Sequence, residues 1–320
     1  MAVASDDWHI IHSMLFVHFD GLVPSIDNYE LIVRYAQVHR QPFAELSTFF
    51  RTRQNWQTWY TGLRQKLVQA VINNHVMTVG RLFHIGIRPG NITAHNGQEL
   101  LPIVCGRNKV EMAKLFVRKG HALDNMSPER KLALVVSCVR LNYIEMVGFL
   151  VGECNICVRN ACVCGDTALV IAVKHAYVEM ATLLLPHSGD IDQLHGGQTL
   201  LHLCIRLTNN PQSNRDMMRM LLQSGANPQV LCRQGESPLE FAVRHQSEVM
   251  VNELLDGGAE IEHVNSTGNT AFLVAVNHGY VGMTKLLLRR GANALVANTS
   301  GETARFIAEK FRYSEILQCL

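Results

Sequence analysis

Three stretches of the chain repeat one pattern of apolar and polar positions: "GDTALVIAVKHAYVEMATLLL" (165–185), "GESPLEFAVRHQSEVMVNELL" (235–255) and "GNTAFLVAVNHGYVGMTKLLL" (268–288). Each opens on a turn signal and runs through an apolar core segment. Each then breaks at two or three polar or small residues and resumes with apolar residues three and four apart. That spacing predicts a pair of short amphipathic helices joined by a tight turn. Strand-type alternation over several residues is not the pattern here, so the expected fold is all-α.

Indexed from the turn glycine, starts fall at Gly97, Gly165, Gly197, Gly235, Gly268 and Gly301, with Leu63 and Lys131 filling the same slot by alignment of the residues downstream of them. Successive spacings are 34, 34, 34, 32, 38, 33 and 33 residues. The slots carry physical reasons. Gly225, Gly258 and Gly291 stand where a second helix ends, and a left-handed residue there satisfies the last carbonyls without a Cβ clash; Asn155 holds the matching place earlier. Thr167, Thr199, Ser237, Thr270 and Thr303 stand where the first helix begins and can cap its free amides. Ala172, Ala242, Ala275 and Ala308, with Cys138 and Cys204 in two further repeats, fill a position that admits only a small side chain. Leu183–Leu184, Leu221–Leu222, Leu254–Leu255 and Leu286–Leu287 supply a face that no repeat can bury alone, so neighbours must stack.

A period near 33 with a turn and two helices, carrying "GQTLLHLC" (197–204), "GESPLEFA" (235–242), "GNTAFLVA" (268–275), "GETARFIA" (301–308) and the endings "LLQSGANPQV" (221–230) and "LLLRRGANAL" (286–295), resembles the ankyrin-repeat family. The resemblance covers about residues 61–320 and implies a helical solenoid of about eight repeats that binds partner proteins. Two places depart from the family pattern. The third repeat (127–151) lacks the turn glycine, and Pro102 stands where the family has histidine, which predicts a short or distorted first helix. Residues 1–60 do not follow the repeat; Pro24 and Pro42 divide them into about three helical segments, expected to cap the open end, to form a separate interaction module, or to be two decayed repeats.

Composition narrows the reading. A formal charge of +2 is too balanced to imply nucleic acid. Nine cysteines, an odd number, several inside apolar helices, fit a reduced cytoplasmic or nuclear protein better than a disulfide framework. The longest uncharged apolar stretches fall short of the roughly 20 residues a membrane span requires. "IIHSMLFVHF" (10–19) follows Asp6 and Asp7 with no basic region, so it is expected to be a buried helix and not a signal peptide.

No phosphate loop, dinucleotide fingerprint, nucleophile elbow or His-Glu-x-x-His appears, so a non-enzymatic protein without cofactor is expected. The fifteen histidines scatter, and His75, His175, His202, His245 and His278 occupy repeat-defined slots that suit a structural role. Cys154, Cys157, Cys162 and Cys164 fall within eleven residues, and four thiolates can hold zinc tetrahedrally, although their spacing matches no recognised pattern and small apolar packing explains them too. "TLLHLC" (199–204) begins like an elongin-binding motif but is explained by burial of Leu201 and Cys204 in a first helix. "LIVRYAQV" (31–38) is similar to a helix of the Fem family of ubiquitin-ligase substrate receptors, which implies an alternative role as the substrate-recognition subunit of such a ligase.

The ninth residue after each start reads Gly106, Arg140, Lys174, Arg206, Arg244, Asn277 and Lys310, five cations of seven. The first residue after the start reads Gln98, Asp166, Gln198, Glu236, Asn269 and Glu302, neutral to acidic. Eight residues of helix span about 12 Å, so the two rows are not expected to neutralise each other fully. Cations near helix C-termini complement the macrodipole without any ligand, but the row also suits a partner-binding stripe for an acidic protein segment. The 38-residue fifth repeat places its extra residues in "LTNNPQSNRD" (207–216), expected to be a solvated loop that adds Arg215 to the end of the row.

Overall fold

The computed structural model describes residues 53–84, 99–120, 123, 126–162, 165–207 and 211–320. The chain divides into two compact units, Met1–Leu134 and Val135–Leu320. The described part of the first unit holds α1 (Arg53–Ile72), α2 (Val76–His84), α3 (Leu100–Gly106) and α4 (Val110–Gly120), and α5 (Pro128–Arg140) crosses the boundary. The second continues with α6 (Ile144–Gly148), extended by a π turn over Phe149–Glu153, then α7 (Ala168–Lys174) and α8 (Val178–Leu184). After these come α9 (Leu200–Arg206), α10 (Pro211–Gln223), α11 (Pro238–Arg244), α12 (Glu248–Asp256), α13 (Ala271–Asn277), α14 (Val281–Arg289), α15 (Ala304–Lys310) and α16 (Ser314–Leu317). Among the described residues no helix is long and apolar enough to cross a membrane.

In the second unit the first helices α7, α9, α11, α13 and α15 pack in chain order, and the second helices α6, α8, α10 and α12 form the layer behind them. The slots do what their chemistry requires. Thr167, Ser237, Thr270 and Thr303 accept hydrogen bonds from the amides of Val170, Glu240, Leu273 and Phe306. Ala172, Ala242, Ala275, Ala308, Cys138 and Cys204 are fully buried. One leucine of each pair, Leu184, Leu221, Leu254 and Leu287, is fully buried. Gly225, Gly258 and Gly291 have φ of 93°, 89° and 91°, and Asn155 takes φ 52°.

Three expectations are corrected. α1 runs unbroken through Leu63, so no turn opens the first repeat there, and the boundary drawn at 60/61 falls inside a helix. Lys131 lies within α5, which begins at Pro128 because, without a turn glycine, proline at the first helical position can start the helix earlier. α3 is seven residues long, the same as α7, so Pro102 does not shorten it. Proline stands there in the first turn, where no intrahelical donor is needed. Most of the segment 1–60, including 10–19 and 31–38, lies outside the described residues.

Candidate functional site: the cationic row on the first helices

Four cations of the row, Lys174, Arg206, Arg244 and Lys310, grow from the last turn of a seven-residue helix, and each reaches back to the residue just after its own turn glycine. Lys174 Nζ meets both Asp166 carboxylate oxygens at 2.8 Å. Arg206 donates to Gln198 Oε1 at 3.1 Å. Arg244 meets Glu236 at 3.2 Å and Glu240 at 3.2 Å, and Lys310 meets Glu302 at 2.8 Å. The eight-residue separation brings an extended turn residue alongside the helix end, so the two rows touch along the helices. Pairing is incomplete: Lys174 and Arg244 keep 43% exposure and Lys310 51%. Among the described residues Arg206 meets a neutral amide and no carboxylate, which leaves its charge uncompensated within the row.

The electrostatics stem from these contacts. The hydrogen bond from Lys310, aided by one from Asn298, holds the Glu302 carboxyl below the usual carboxylate range. Glu240, 4% exposed, is held by Arg244 and by Asn265 Nδ2 at 2.8 Å. Lys310 also lies over the rings of Phe306 and Phe311, at 5.9 and 5.6 Å from their centroids. Arg140 is exposed at the end of α5, and Asn277 is an exposed uncharged rung.

Arg215 does not join the row. Residues 208–210 lie outside the described residues, and from Pro211 the insertion is helical, lengthening α10 to thirteen residues. Arg215 therefore sits in the second-helix layer, where it and Arg219 hold the Glu253 carboxylate of α12. Proline at the first helical position starts a helix at 211, so 211–216, expected to be loop, is helical.

The histidines in repeat slots serve the scaffold. His202 is fully buried; its Nδ1 lies 2.7 Å from Thr199 Oγ1, and its Nε2 lies 3.2 Å from the Glu236 carbonyl oxygen of the next repeat. Burial pushes its pKa down to about 4, against a smaller upward effect of that carbonyl. His245 and His278 each place Nδ1 2.9 Å from the carbonyl oxygen four residues back. Cys154 and Cys157 carry free thiols, but Cys162 is disulfide-bonded and Cys164 lies outside the described residues. A disulfide sulfur is not a thiolate donor, so a four-thiolate zinc set requires Cys162 to be reduced first. Among the described residues no three His, Cys, Asp or Glu side chains group as metal ligands.

Stacked helix pairs, turn fingers and a regular surface row define a helical-repeat solenoid. Residues 137–232 and 239–320 match the family model described as ankyrin repeats (3 copies), more than half of the chain, and the protein belongs to the ankyrin-repeat family. Two solved structures share the fold. The ankyrin repeat domain of Bcl-3, titled a unique member of the IkappaB protein family, is 22% identical at a TM-score of 0.58, covering 68% of this chain and 97% of that one. The ankyrin repeat protein EF0377 is 24% identical at a TM-score of 0.50, covering 58% of this chain and 96% of that one. No curated protein sequence matches the chain. Ankyrin repeats form a protein–protein interaction domain, a fold that serves as a non-catalytic scaffold.

Proposed function

We propose that the protein is a non-enzymatic scaffold or adaptor that captures an acidic segment of a partner protein along the first-helix row, centred on Arg206. The observation that supports this is the regular set of partly exposed cations Lys174, Arg206 and Arg244, flanked by Arg140 and Lys310, with Arg206 opposed, among the described residues, by the neutral Gln198 alone. A partner carboxylate adds to Arg206 directly and exchanges with Asp166 or Glu236 elsewhere. Charge of this kind mainly raises the association rate and makes binding weaken with salt. The triple change Lys174→Glu, Arg206→Glu and Arg244→Glu, with the neutral Gln triple as a milder companion, is expected to abolish partner capture while circular dichroism stays native. A folded charge-reversed variant that still captures the wild-type partner set refutes the site.

The alternative, a ubiquitin-ligase substrate receptor, rests on residues 31–38, which lie outside the described residues. Co-purification of a cullin or elongin with the chain separates it from a plain scaffold.

A further inference from the structure

Each repeat of the second unit covers a face of the one before it, and the residues it covers recur at fixed slots. At the slot held by Leu169, Leu201, Leu239 and Phe272 the side chain is buried every time. The same is true four residues on, at Val173, Ile205, Val243 and Val276. His202, between these two slots, fixes the direction: it reaches the Glu236 carbonyl of the following repeat and lies edge-on to that repeat's Phe241. In the repeat of α15 and α16 the two slots hold Arg305 and Glu309, both exposed. Neither side chain has an ion-pair partner among the described residues. Leu317 and Leu320 are partly exposed where Val251 and Thr284, and Leu254 and Leu287, are fully buried.

A polar outer face keeps a terminal repeat soluble, but this face is not simply polar. The slot that holds His202 and Glu240 in buried repeats holds Phe306 here, with 51% of its surface in water. A further repeat of the same pattern does not suit it either. The slot turned toward the preceding repeat, marked by Phe241 against His202, holds Leu203, Val274 and Ile307 elsewhere, all apolar. Such a side offers no charge to Arg305 or Glu309, and burying a charge unpaired is strongly unfavourable. Nor does the pair serve its own helix: a cation in the first turn and an acid in the last oppose the macrodipole, and arginine four residues ahead of glutamate is the weaker order.

The order suits its own reverse. Charges run Glu302, Arg305, Glu309 and Arg312, alternating in sign and spaced symmetrically about Ile307. Turned end for end, the series meets an opposite charge at every place. Arg312 stands at the rim of the same face, since a Cβ added at Gly279, in the corresponding slot, would lie 3.0 Å from Tyr313 of the following repeat. Glu302 already holds Lys310, whose ammonium lies over Phe306 and Phe311, so the outer pair counts for less than the inner one. Glu315 stands on the other side, because a Cβ at Gly282 in its slot would meet Glu248 of the preceding repeat.

We propose that this face joins a second copy of the chain, with the two α15 helices paired antiparallel about a two-fold axis. Arg305 of each copy meets Glu309 of the other, and the two Phe306 rings close the centre, flanked by Leu317 and Leu320. An isologous contact of this kind occurs twice, so one charge pattern supplies both ion pairs. Arg305 and Glu309 stand about 6 Å apart along the helix, a span that both side chains bridge. The face is one helix pair wide, small beside the roughly 1,600 Å² of a standard interface, so the dimer is reversible with a dissociation constant of about 1–100 µM. It uses a different surface from the cationic row and does not depend on it.

Sedimentation of the full chain from about 1 to about 500 µM tests this, and the wild type is expected to pass from monomer to dimer across that range. Arg305→Glu and Glu309→Arg each place like charges across the axis, and each is expected to weaken the dimer at least about tenfold with native circular dichroism. Mixed in equal amounts, these two variants are expected to pair with each other, because one presents two acids and the other two cations. The double change Arg305→Glu, Glu309→Arg is expected to restore the self-dimer for the same reason. Phe306→Ser is expected to weaken it without altering the fold. A wild type that stays monomeric throughout, single variants that dimerise as the wild type does, or a mixture that stays monomeric overturns the proposal. The Lys174, Arg206 and Arg244 Gln triple is expected to dimerise normally, so failure of the cationic row and failure of this face are read separately.

Discussion

At the scale of single residues, His202 shows how one slot serves two repeats. Thr199, which caps its helix by position, gives its hydroxyl to His202 Nδ1 and makes no side-chain capping bond, and the other ring nitrogen reaches the Glu236 carbonyl of the next repeat. The ring is buried neutral, with a folded pKa near 4 below its ordinary 6.5. The unfolded chain therefore binds the proton more readily, and stability is full above about pH 6.5 and falls as pH drops toward about 4. The lowered pKa of half-buried His195, caused first by burial, acts in the same direction. For His202 the upper bound is about 3 kcal/mol. Thermal unfolding at pH 7 and pH 5 is expected to show a drop in Tm in the wild type that shrinks in His202→Gln; an equal drop in both refutes the assignment.

At the scale of elements, the insertion in the fifth repeat becomes one more stretch of helix and carries Arg215 to a charge cluster in the second-helix layer. Glu253, 5% exposed, is held by Arg215 and Arg219, while Arg290 of the next repeat pairs with Asp256 and donates to Asn252. Burial raises the Glu253 carboxyl, and the two arginine hydrogen bonds more than reverse that, holding it below its ordinary value. Its stabilising effect is therefore present above the unfolded carboxylate pKa and lost as pH falls through the lower folded one. Glu253→Ala leaves two guanidiniums without their partner, each nearly half exposed. The expected loss is about 1–3 kcal/mol, below the roughly 3–5 kcal/mol of a fully buried pair because solvent screens both arginines. Urea unfolding measures it, and a change under about 0.3 kcal/mol makes the cluster energetically idle.

At the scale of the second unit, stability is expected to be a sum over neighbouring repeats, since first helices pack on first helices and second helices on second helices from one repeat to the next. Leu254 is fully buried. Leu254→Ala is expected to cost about 2–5 kcal/mol. Hydrogen exchange is expected to quicken first in α10, α12 and α14 and only later in α7. Uniform loosening of the whole unit contradicts nearest-neighbour coupling.

Local rules made most of the solenoid legible. Glycine at a left-handed position, threonine at a helix start, alanine at a close approach and leucine at helical spacing each act within a few residues, so periodicity carried the helix pairs, the caps and the buried slots. Where a slot residue was missing, at Leu63 and Lys131, alignment placed turns that the backbone does not make. The cationic row itself was readable as a spacing of nine. Its pairing across eight residues was not, because that contact depends on how an extended turn folds back beside its helix. The same holds for Arg215, whose partner lies 38 residues away in sequence. Packing between repeats, which sequence spacing does not encode, decided which surface side chains stand together.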